Sequence, residues 1–351
     1  MEKLKIGTIT FHWATNYGAV LQAYALQTFL KSNSIDTEII DYIPQDRERR
    51  LHNYRKNDLL SYTKENNLEI FRRNHLLLSD HSFSNSKQLH NSDYSYDCVI
   101  TGSDQVWNQS FICYAEGHFH FKPVLSYYLD FLPENVRKIA FAVSFGTEQL
   151  KTKVEKYTLP ELQQFKAIGV RENSGKELLK RIGVSSEVVL DPTFLLDPKY
   201  YIELIGTEHT EPLDNHIFSY ILHGDELARN VSDMVTNKLS CDVRYDDGCT
   251  LQQWLRNIKT SAFVVTNSFH GMALSIILHK EFIVNVIKGS NMNDRIYTLL
   301  EKIGLSDRIV DNCSDEQITH IINTHVDWKY VDNRIAQLQS QSRDFLLSNI
   351  F

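Results

Sequence analysis

The residues best suited to chemistry lie at the ends of short apolar runs. Thr266-Asn267-Ser268-Phe269-His270-Gly271 follows Ala262-Phe263-Val264-Val265 and leads into Met272-Ala273-Leu274-Ser275-Ile276-Ile277-Leu278-His279. The first flank is short, β-branched and aromatic, the pattern of a buried parallel strand. The second is apolar most of the way round, the pattern of a buried helix. The polar run is then a strand-to-helix turn. In open α/β sheets such turns lie at the carboxyl ends of the strands, where ligands bind, and the first amides of the helix point N–H groups at an anion. Two readings are open for His270. Either Asn267 or Ser268 caps the helix and His270 is a satisfied polar residue at the core edge. Or His270 is a proton donor or anion contact, because imidazole titrates near neutrality and stands over the helix's positive end.

Other turns repeat the arrangement. The strand Asp97–Thr101 ends in Gly102-Ser103-Asp104-Gln105-Val106-Trp107-Asn108, where Ser103, Asp104 and Gln105 can each hold a sugar hydroxyl. Trp107 can stack on a sugar face or fill the core. The strand Arg137–Val143 runs into Ser144-Phe145-Gly146-Thr147. Arg171 follows Ala167–Val170, where its guanidinium can grip a carboxylate or phosphate with two prongs, or pair with Glu172 or another acid. The first loop, His12 to Gly18, ends in Asn16-Tyr17-Gly18 at a helix start. That suits approach of a ligand to backbone amides, or simple capping by Asn16. The loop lacks G-x-G-x-x-G spacing, so a nicotinamide or flavin cofactor is not expected.

The elements that must hold these turns alternate between strand and helix through both halves. Lys5–Thr10, Thr37–Tyr42, His216–Leu222 and Glu281–Ile287 read as strands, with helices after the first loop, over Glu226–Lys238 and from Asn293, where Ile296, Leu299, Leu300 and Ile303 share one face. Val188–Leu196 reads as a strand ended by Asp191-Pro192 near a domain junction. At 351 residues the chain exceeds the size at which one core keeps growing. The fold expected is therefore α/β, with two Rossmann-like domains and the active site in the cleft between them. The expected boundaries are 1–165, 166–327 and a terminal helix, 328–351, packing back on the body. Residues 45–95 are polar and helix-prone and carry no chemical motif. Their basic cluster, Arg47, Arg49, Arg50, Arg55 and Lys56, reads as a solvated helix face that can at most brush an anionic membrane surface. His75, His81 and His90 lack metal-ligand spacing and read as surface residues.

Composition narrows the classes. A net charge of −7 leaves no electrostatic footprint for nucleic acid. The five cysteines, Cys98, Cys113, Cys241, Cys249 and Cys313, are scattered without C-x-x-C spacing, so neither a zinc site nor a disulfide framework is expected and a reducing cytoplasm fits best. The chain enters its first strand without a charged leader and apolar segment, and no apolar run reaches about eighteen residues, so neither export nor a membrane span is expected.

Six blocks together resemble the polysaccharide pyruvyl transferase family. They are Thr15-Asn16-Tyr17-Gly18-Ala19-Val20-Leu21-Gln22-Ala23-Tyr24-Ala25-Leu26, Gly102 to Asn108, Ala142 to Gly146, Val170-Arg171-Glu172, Leu190-Asp191-Pro192-Thr193 and Ser268-Phe269-His270-Gly271. They fall in the family's order over nearly the whole chain. The resemblance implies a GT-B-like fold and transfer of pyruvate from phosphoenolpyruvate to a sugar of a bacterial surface glycan, such as a capsule or exopolysaccharide. The product would be a cyclic ketal across two hydroxyls, built on an acceptor that is often lipid-linked, at the inner face of the membrane. It places the acid on His270 and an anion-binding arginine, expected in the second domain, on Arg171. Several members have Arg-Leu-His where this chain has Ser268-Phe269-His270, so Arg295 or Lys288 would take the place of the missing arginine. Asn16, Tyr17, Gly18, Ser103, Gln105 and Trp107 would then face the acceptor, and Ser268, Arg171, Arg295 and Lys288 the donor.

The chemistry sets its own requirements. Phosphoenolpyruvate is an enol ester of phosphate, so ketal formation needs protonation of its methylene carbon, attack of a hydroxyl on C2 and departure of phosphate. One acid, cations for a carboxylate and a phosphate, and a hydroxyl-orienting carboxylate suffice, roles open to His270, to Arg171 with Arg295, and to Asp104. That list calls for no metal or other cofactor. A nucleotide-sugar glycosyltransferase of the same architecture is the alternative. After His270, however, the chain lacks the ribose-binding glutamate and Gly-x-Pro turn such enzymes often show. A silent scaffold in a glycan-assembly complex is the third class.

Overall fold

A computed structural model describes residues 4–44, 47–112, 124–206, 216–286, 293–312 and 314–351. The chain divides into two compact units, Met1–Leu195 with Leu338–Phe351, and Leu196–Gln337. In the first unit the order is β1 (Lys5–Ile9), α1 (Tyr17–Ser32), β2 (Asp36–Tyr42), α2 (Arg47–Asn57), α3 (Leu59–His75), β3 (Leu78–Phe83), α4 (Ser86–His90) and β4 (Cys98–Thr101). It continues with α5 (Gln109–Ile112), β5 (Arg137–Val143), α6 (Thr152–Leu162), β6 (Ala167–Val170), α7 (Asn173–Arg181) and β7 (Glu187–Val188). Among the described residues these strands form a parallel sheet of seven in the order β3-β2-β1-β4-β5-β6-β7. The order turns outward in both directions from β1 and β4, so the crevice for a ligand opens at their carboxyl ends. The turns after Ile9 and Thr101 lie there.

The second unit contains α8 (Pro198–Ile205), β8 (His216–Tyr220), α9 (Glu226–Leu239), β9 (Asp242–Tyr245), α10 (Leu251–Thr260), β10 (Phe263–Thr266), α11 (Phe269–Ile277), β11 (Phe282–Asn285), α12 (Asp294–Ile303), β12 (Ile309–Val310) and α13 (Asp315–Asn323). Its described strands form a parallel sheet of five, β12-β11-β10-β8-β9. Here the switch point falls between β8 and β10, and Thr266–Gly271 emerges at it. The strand expected at 262–265 is present as β10, buried throughout, and the helix behind it is buried from Phe269 to Ile276 as its composition requires.

The boundary expected at 165/166 is corrected to 195/196. β6 pairs with β5 through Ile139–Ala167 and Ala140–Ile168, and β7 pairs with β6, so residues 166–195 complete the first sheet rather than opening the second. Val188–Leu196 is likewise not one strand. β7 is two residues long, and Pro192–Leu195, lacking a free N–H at its proline, winds into a short 3-10 turn. The terminal helix α14 (Trp328–Ile350) is present, but it divides between the units at 337/338. Its last part is fixed to the first unit: Ser342 Oγ accepts the Leu190 amide at 2.9 Å, and Gln339 Nε2 donates to the Phe194 carbonyl at 2.6 Å. Within 45–95, β3 was not anticipated. Leu-Ser-Asp-His-Ser-Phe is too polar to read as a strand, which an edge position with one paired neighbour tolerates.

Candidate active site

At the carboxyl edge of the first sheet the polar residues form one connected network. Gly102 ends β4 at φ 109°, and a Cβ there would meet the Phe141 carbonyl oxygen at 2.3 Å, so only glycine lets β4 turn against β5. Ser103 follows, fully buried: its amide donates to Gln22 Oε1 at 3.1 Å, its carbonyl accepts the Thr10 hydroxyl at 3.0 Å, and its own hydroxyl lies 2.9 Å from Asp191 Oδ2. Arg171 leaves the end of β6 and reaches across, donating to Asp191 Oδ2 at 2.9 Å and to Asp104 Oδ1 at 3.0 Å. Asp191 Oδ1 accepts both the amide and the hydroxyl of Thr193, and Glu172 accepts the Phe145 amide. Burial alone would lower the pKa of Arg171, but Asp104, Asp191 and Glu172 outweigh it and raise the guanidinium further above its ordinary range.

This geometry corrects the expectation that Arg171 presents its guanidinium to a donor anion. The side chain is 1% exposed and already bound by two carboxylates. It belongs, moreover, to the first unit. Asp104, 16% exposed at the network's outer end and held in the left-handed region at φ 77°, is the member that faces outward.

The acceptor-side expectations divide. Trp107 is 0% exposed, stacks on Tyr128 at 5.0 Å and donates its indole N–H to the Tyr127 carbonyl, so it fills the core and cannot stack on a sugar. Ser103, Tyr17 and Gly18 are buried as well, and Gln105 turns its Oε1 to Asn108 inside the unit. Asn16, half-buried, caps α1 by accepting the Ala19 amide at 3.1 Å.

Residues given no role from sequence hold the first loop. Glu65, wholly buried on α3, accepts the Thr15 hydroxyl at 2.7 Å and pairs with Arg72 at 3.1 Å. Arg72 also donates to the carbonyls of His12, Trp13 and Ala14. Arg50 lies over the Trp13 ring at 5.2 Å and donates to the Trp13 carbonyl, so it is not part of a solvated face. Beneath them, His12 Nε2 sits 2.9 Å from Asp41 Oδ1. Burial pushes the carboxyls of Glu65 and Asp41 upward, but Arg72 at the first and His12 at the second prevail and hold both below their ordinary values. The seven-residue spacing of Glu65 and Arg72, two helical turns, was the available signal. His75, expected at the surface, stacks on Phe71 at 4.4 Å, and its partial burial depresses its pKa.

At the edge of the second sheet, Ser268 is the N-cap of α11, accepting the Gly271 amide at 3.3 Å. Thr266 Oγ1 donates to the Tyr220 carbonyl and accepts the Ser268 amide. Asn267 spans the switch point, accepting the Leu222 amide at 2.7 Å and donating to the Leu222 carbonyl and to Asp225. A Cβ on Gly271 would lie 2.6 Å from Thr266 Oγ1, so the glycine lets α11 close onto β10. These contacts fix His270 as the second residue of α11, buried to 6% exposure, with its ring edge-on to Phe269 at 5.3 Å. Arg295, near the start of α12, lies over the other aromatic partner, its guanidinium carbon 5.7 Å from the Phe269 ring centre. The structure thus sets Ser268 and His270 at the start of α11 and Arg295 over Phe269, the residue between them; Lys288 lies outside the described residues. Among the described residues one group, Asp246, Asp247 and Cys249, has atoms close enough to share a cation, and exposed acids commonly stand so without one.

The model of the polysaccharide pyruvyl transferase family matches residues 16–284, from the end of the first loop through the turns after Thr101 and Thr266. The chain belongs to that family of transferases acting on polysaccharide. No curated protein matches it at significance. Among solved structures it is similar to UDP-N-acetylglucosamine 2-epimerase from Rickettsia bellii, with 8% identity, a TM-score of 0.56 and coverage of 99% of this chain and 97% of that one. The UDP-GlcNAc 2-epimerase from Neisseria meningitidis bound to UDP-GlcNAc gives 12% identity, a TM-score of 0.51 and coverage of 99% and 100%. That from Methanocaldococcus jannaschii gives 10% identity, a TM-score of 0.51 and 93% of each chain. At such identities the likeness shows the fold alone, and that fold is GT-B-like. Among the described residues no helix is long and apolar enough to cross a membrane.

Proposed function

We propose that the chain transfers pyruvate from phosphoenolpyruvate to two hydroxyls of one sugar in a bacterial surface-polysaccharide precursor, forming a cyclic ketal and releasing phosphate. The observation that carries this reading is the placement of His270 at the second position of α11, at the switch point of the second sheet, with Ser268 capping the helix and Arg295 beside it over Phe269. The helix start and the Arg295 guanidinium suit the carboxylate and phosphate of the donor.

In this reading His270 gives a proton to the methylene carbon, which becomes the methyl group, while a sugar hydroxyl adds to C2 and its own proton passes back to His270, restoring the acid. The second hydroxyl then displaces phosphate from C2 and its proton leaves with the phosphate, so donor and diol yield one ketal and one phosphate. Asp104, the outward member of the first network, is the carboxylate that orients a hydroxyl, and Arg171 with Asp191 sets its position. The first unit is accordingly the acceptor side and the second the donor side. A lipid-linked oligosaccharide at the inner face of the membrane is the acceptor class that the family suggests.

Calorimetric titration with phosphoenolpyruvate, run beside a set of nucleotide sugars, tests the reading. Saturable phosphoenolpyruvate binding that weakens in Arg295→Met supports it. Binding of a nucleotide sugar in its place would turn the assignment to glycosyl transfer.

A further inference from the structure

The α2–α3 hairpin carries charge and apolar surface in an unusual combination. Residues 47–75 hold eight Lys and Arg against four Asp and Glu, a net of +4 in a chain whose total is −7. At the hairpin tip Arg55 and Lys56 are exposed, and the first two residues of α3, Leu59 and Leu60, are 69% and 48% exposed. Ile70, 59% exposed, follows Leu59 by eleven residues, which at 3.6 residues per turn returns it to nearly the same face. Arg73 is exposed close by. The face of α3 toward the protein carries Glu65, Leu68, Phe71 and Arg72, so the apolar residues outside are surplus to the core. Of the four acids in this segment, Glu65 and Glu69 pair with arginines, Asp58 caps α3, and Glu48 lies exposed in the first turn of α2, at the end away from the tip.

We infer that this outer face docks on an anionic lipid bilayer. Basic residues around a few exposed leucines are the arrangement by which a surface helix binds such a bilayer, the cations meeting headgroups and the apolar side chains entering the acyl boundary. The opposite sign of the hairpin and the remainder of the chain orients it tip-first. The same helix pair holds the His12–Gly18 loop, at the carboxyl edge of the first sheet. Docking therefore brings the acceptor-side edge toward the lipid. That benefit rests on the pyruvyl-transfer reading; the binding itself does not.

Co-sedimentation of the full chain with vesicles of phosphatidylcholine containing roughly 30% phosphatidylglycerol, and with pure phosphatidylcholine, tests it. The expected result is binding to the anionic vesicles alone, weakened by salt. Arg55→Gln with Lys56→Gln lowers the partition at least about tenfold, since each cation near such a surface contributes about fivefold. Leu59→Ser with Leu60→Ser lowers it by about tenfold or more, with the unfolding midpoint unchanged. Absent binding, equal binding to neutral vesicles, or binding indifferent to both pairs would overturn the inference. So would a dimer that the leucine pair abolishes, which would give this face to a second copy. Phosphoenolpyruvate titration of the same variants keeps the two readings apart, because failure to bind donor leaves the vesicle result standing.

Discussion

At the carboxyl edge of the first sheet, Arg171 lies 3.0 Å from Asp104 and 2.9 Å from Asp191, inside the unit. At the corresponding edge of the second, Arg295 lies over the Phe269 ring, half-buried, one residue from His270. Both edges follow the same local plan of an apolar strand, a polar turn and a helix start. They differ in what is packed on the cation. Two carboxylates grip the Arg171 guanidinium, and their mutual geometry holds Asp104 in place. Arg295 has an aromatic face against it, on the ring next to His270. In the proposed reading the first edge positions a carboxylate and the second receives an anion.

The largest expected effect breaks the first edge. Arg171→Ala leaves Asp104 and Asp191 without their cation and should lower stability by about 3–5 kcal/mol in urea denaturation. A loss below about 1 kcal/mol together with weakened phosphoenolpyruvate binding would return Arg171 to the donor site. Next comes the second edge. His270→Ala should cut turnover at least about a hundredfold, near 2.7 kcal/mol in the barrier, while the fold persists. Phosphate release measured at saturating donor checks this, and a near-normal rate would remove His270 from the acid role.

The second edge was readable in sequence because every signal for it is local. Val264 and Val265 mark a strand, Ser268 a cap, and Gly271 a close approach, all within eight residues. The first edge was only half readable. Its turns were visible, but the partners of Arg171 lie 67 and 20 residues away, and nothing in the chain's periodicity says which acids will meet it. The domain boundary failed for a related reason. β6 and β7 repeat the strand–turn–helix pattern of the second unit, and periodicity does not state which sheet a strand joins. Trp107 is similar: its burial depends on Tyr128 and Phe165, distant in sequence, and an indole after a polar turn looks the same whether it faces sugar or core. The chemistry of α3 was hidden because Glu65 and Arg72 sit in a segment whose composition is that of a solvated helix.

That hidden pair offers a third test, on what holds the first edge's loop. Glu65 has its folded pKa below its unfolded value, so its stabilisation is present above the unfolded pKa and is lost as pH falls through the folded one. Asp41, depressed by His12, acts in the same direction. Stability should therefore fall with acidity below about pH 4. Glu65→Gln should cost about 2 kcal/mol at neutral pH, through Arg72 and Thr15, and should flatten part of the acid slope. Urea midpoints recorded across pH for both proteins check it. An unchanged slope would mean that Glu65 titrates alike in both states and that the loop is held by other contacts.

The smallest effect separates the two cations most sharply. Arg295→Met keeps much of the apolar stem packed on Phe269 and removes the charge. It should weaken phosphoenolpyruvate about tenfold, near 1.4 kcal/mol, with little change in unfolding free energy. Arg171→Ala should show the reverse, a large loss of stability, with donor affinity kept in whatever fraction stays folded. If the two variants behave alike in both assays, the contrast between a positioning edge and a binding edge fails. If only Arg295→Met moves the donor isotherm, the arginine absent two residues before His270 has its functional replacement on α12, reached through Phe269 rather than along the chain.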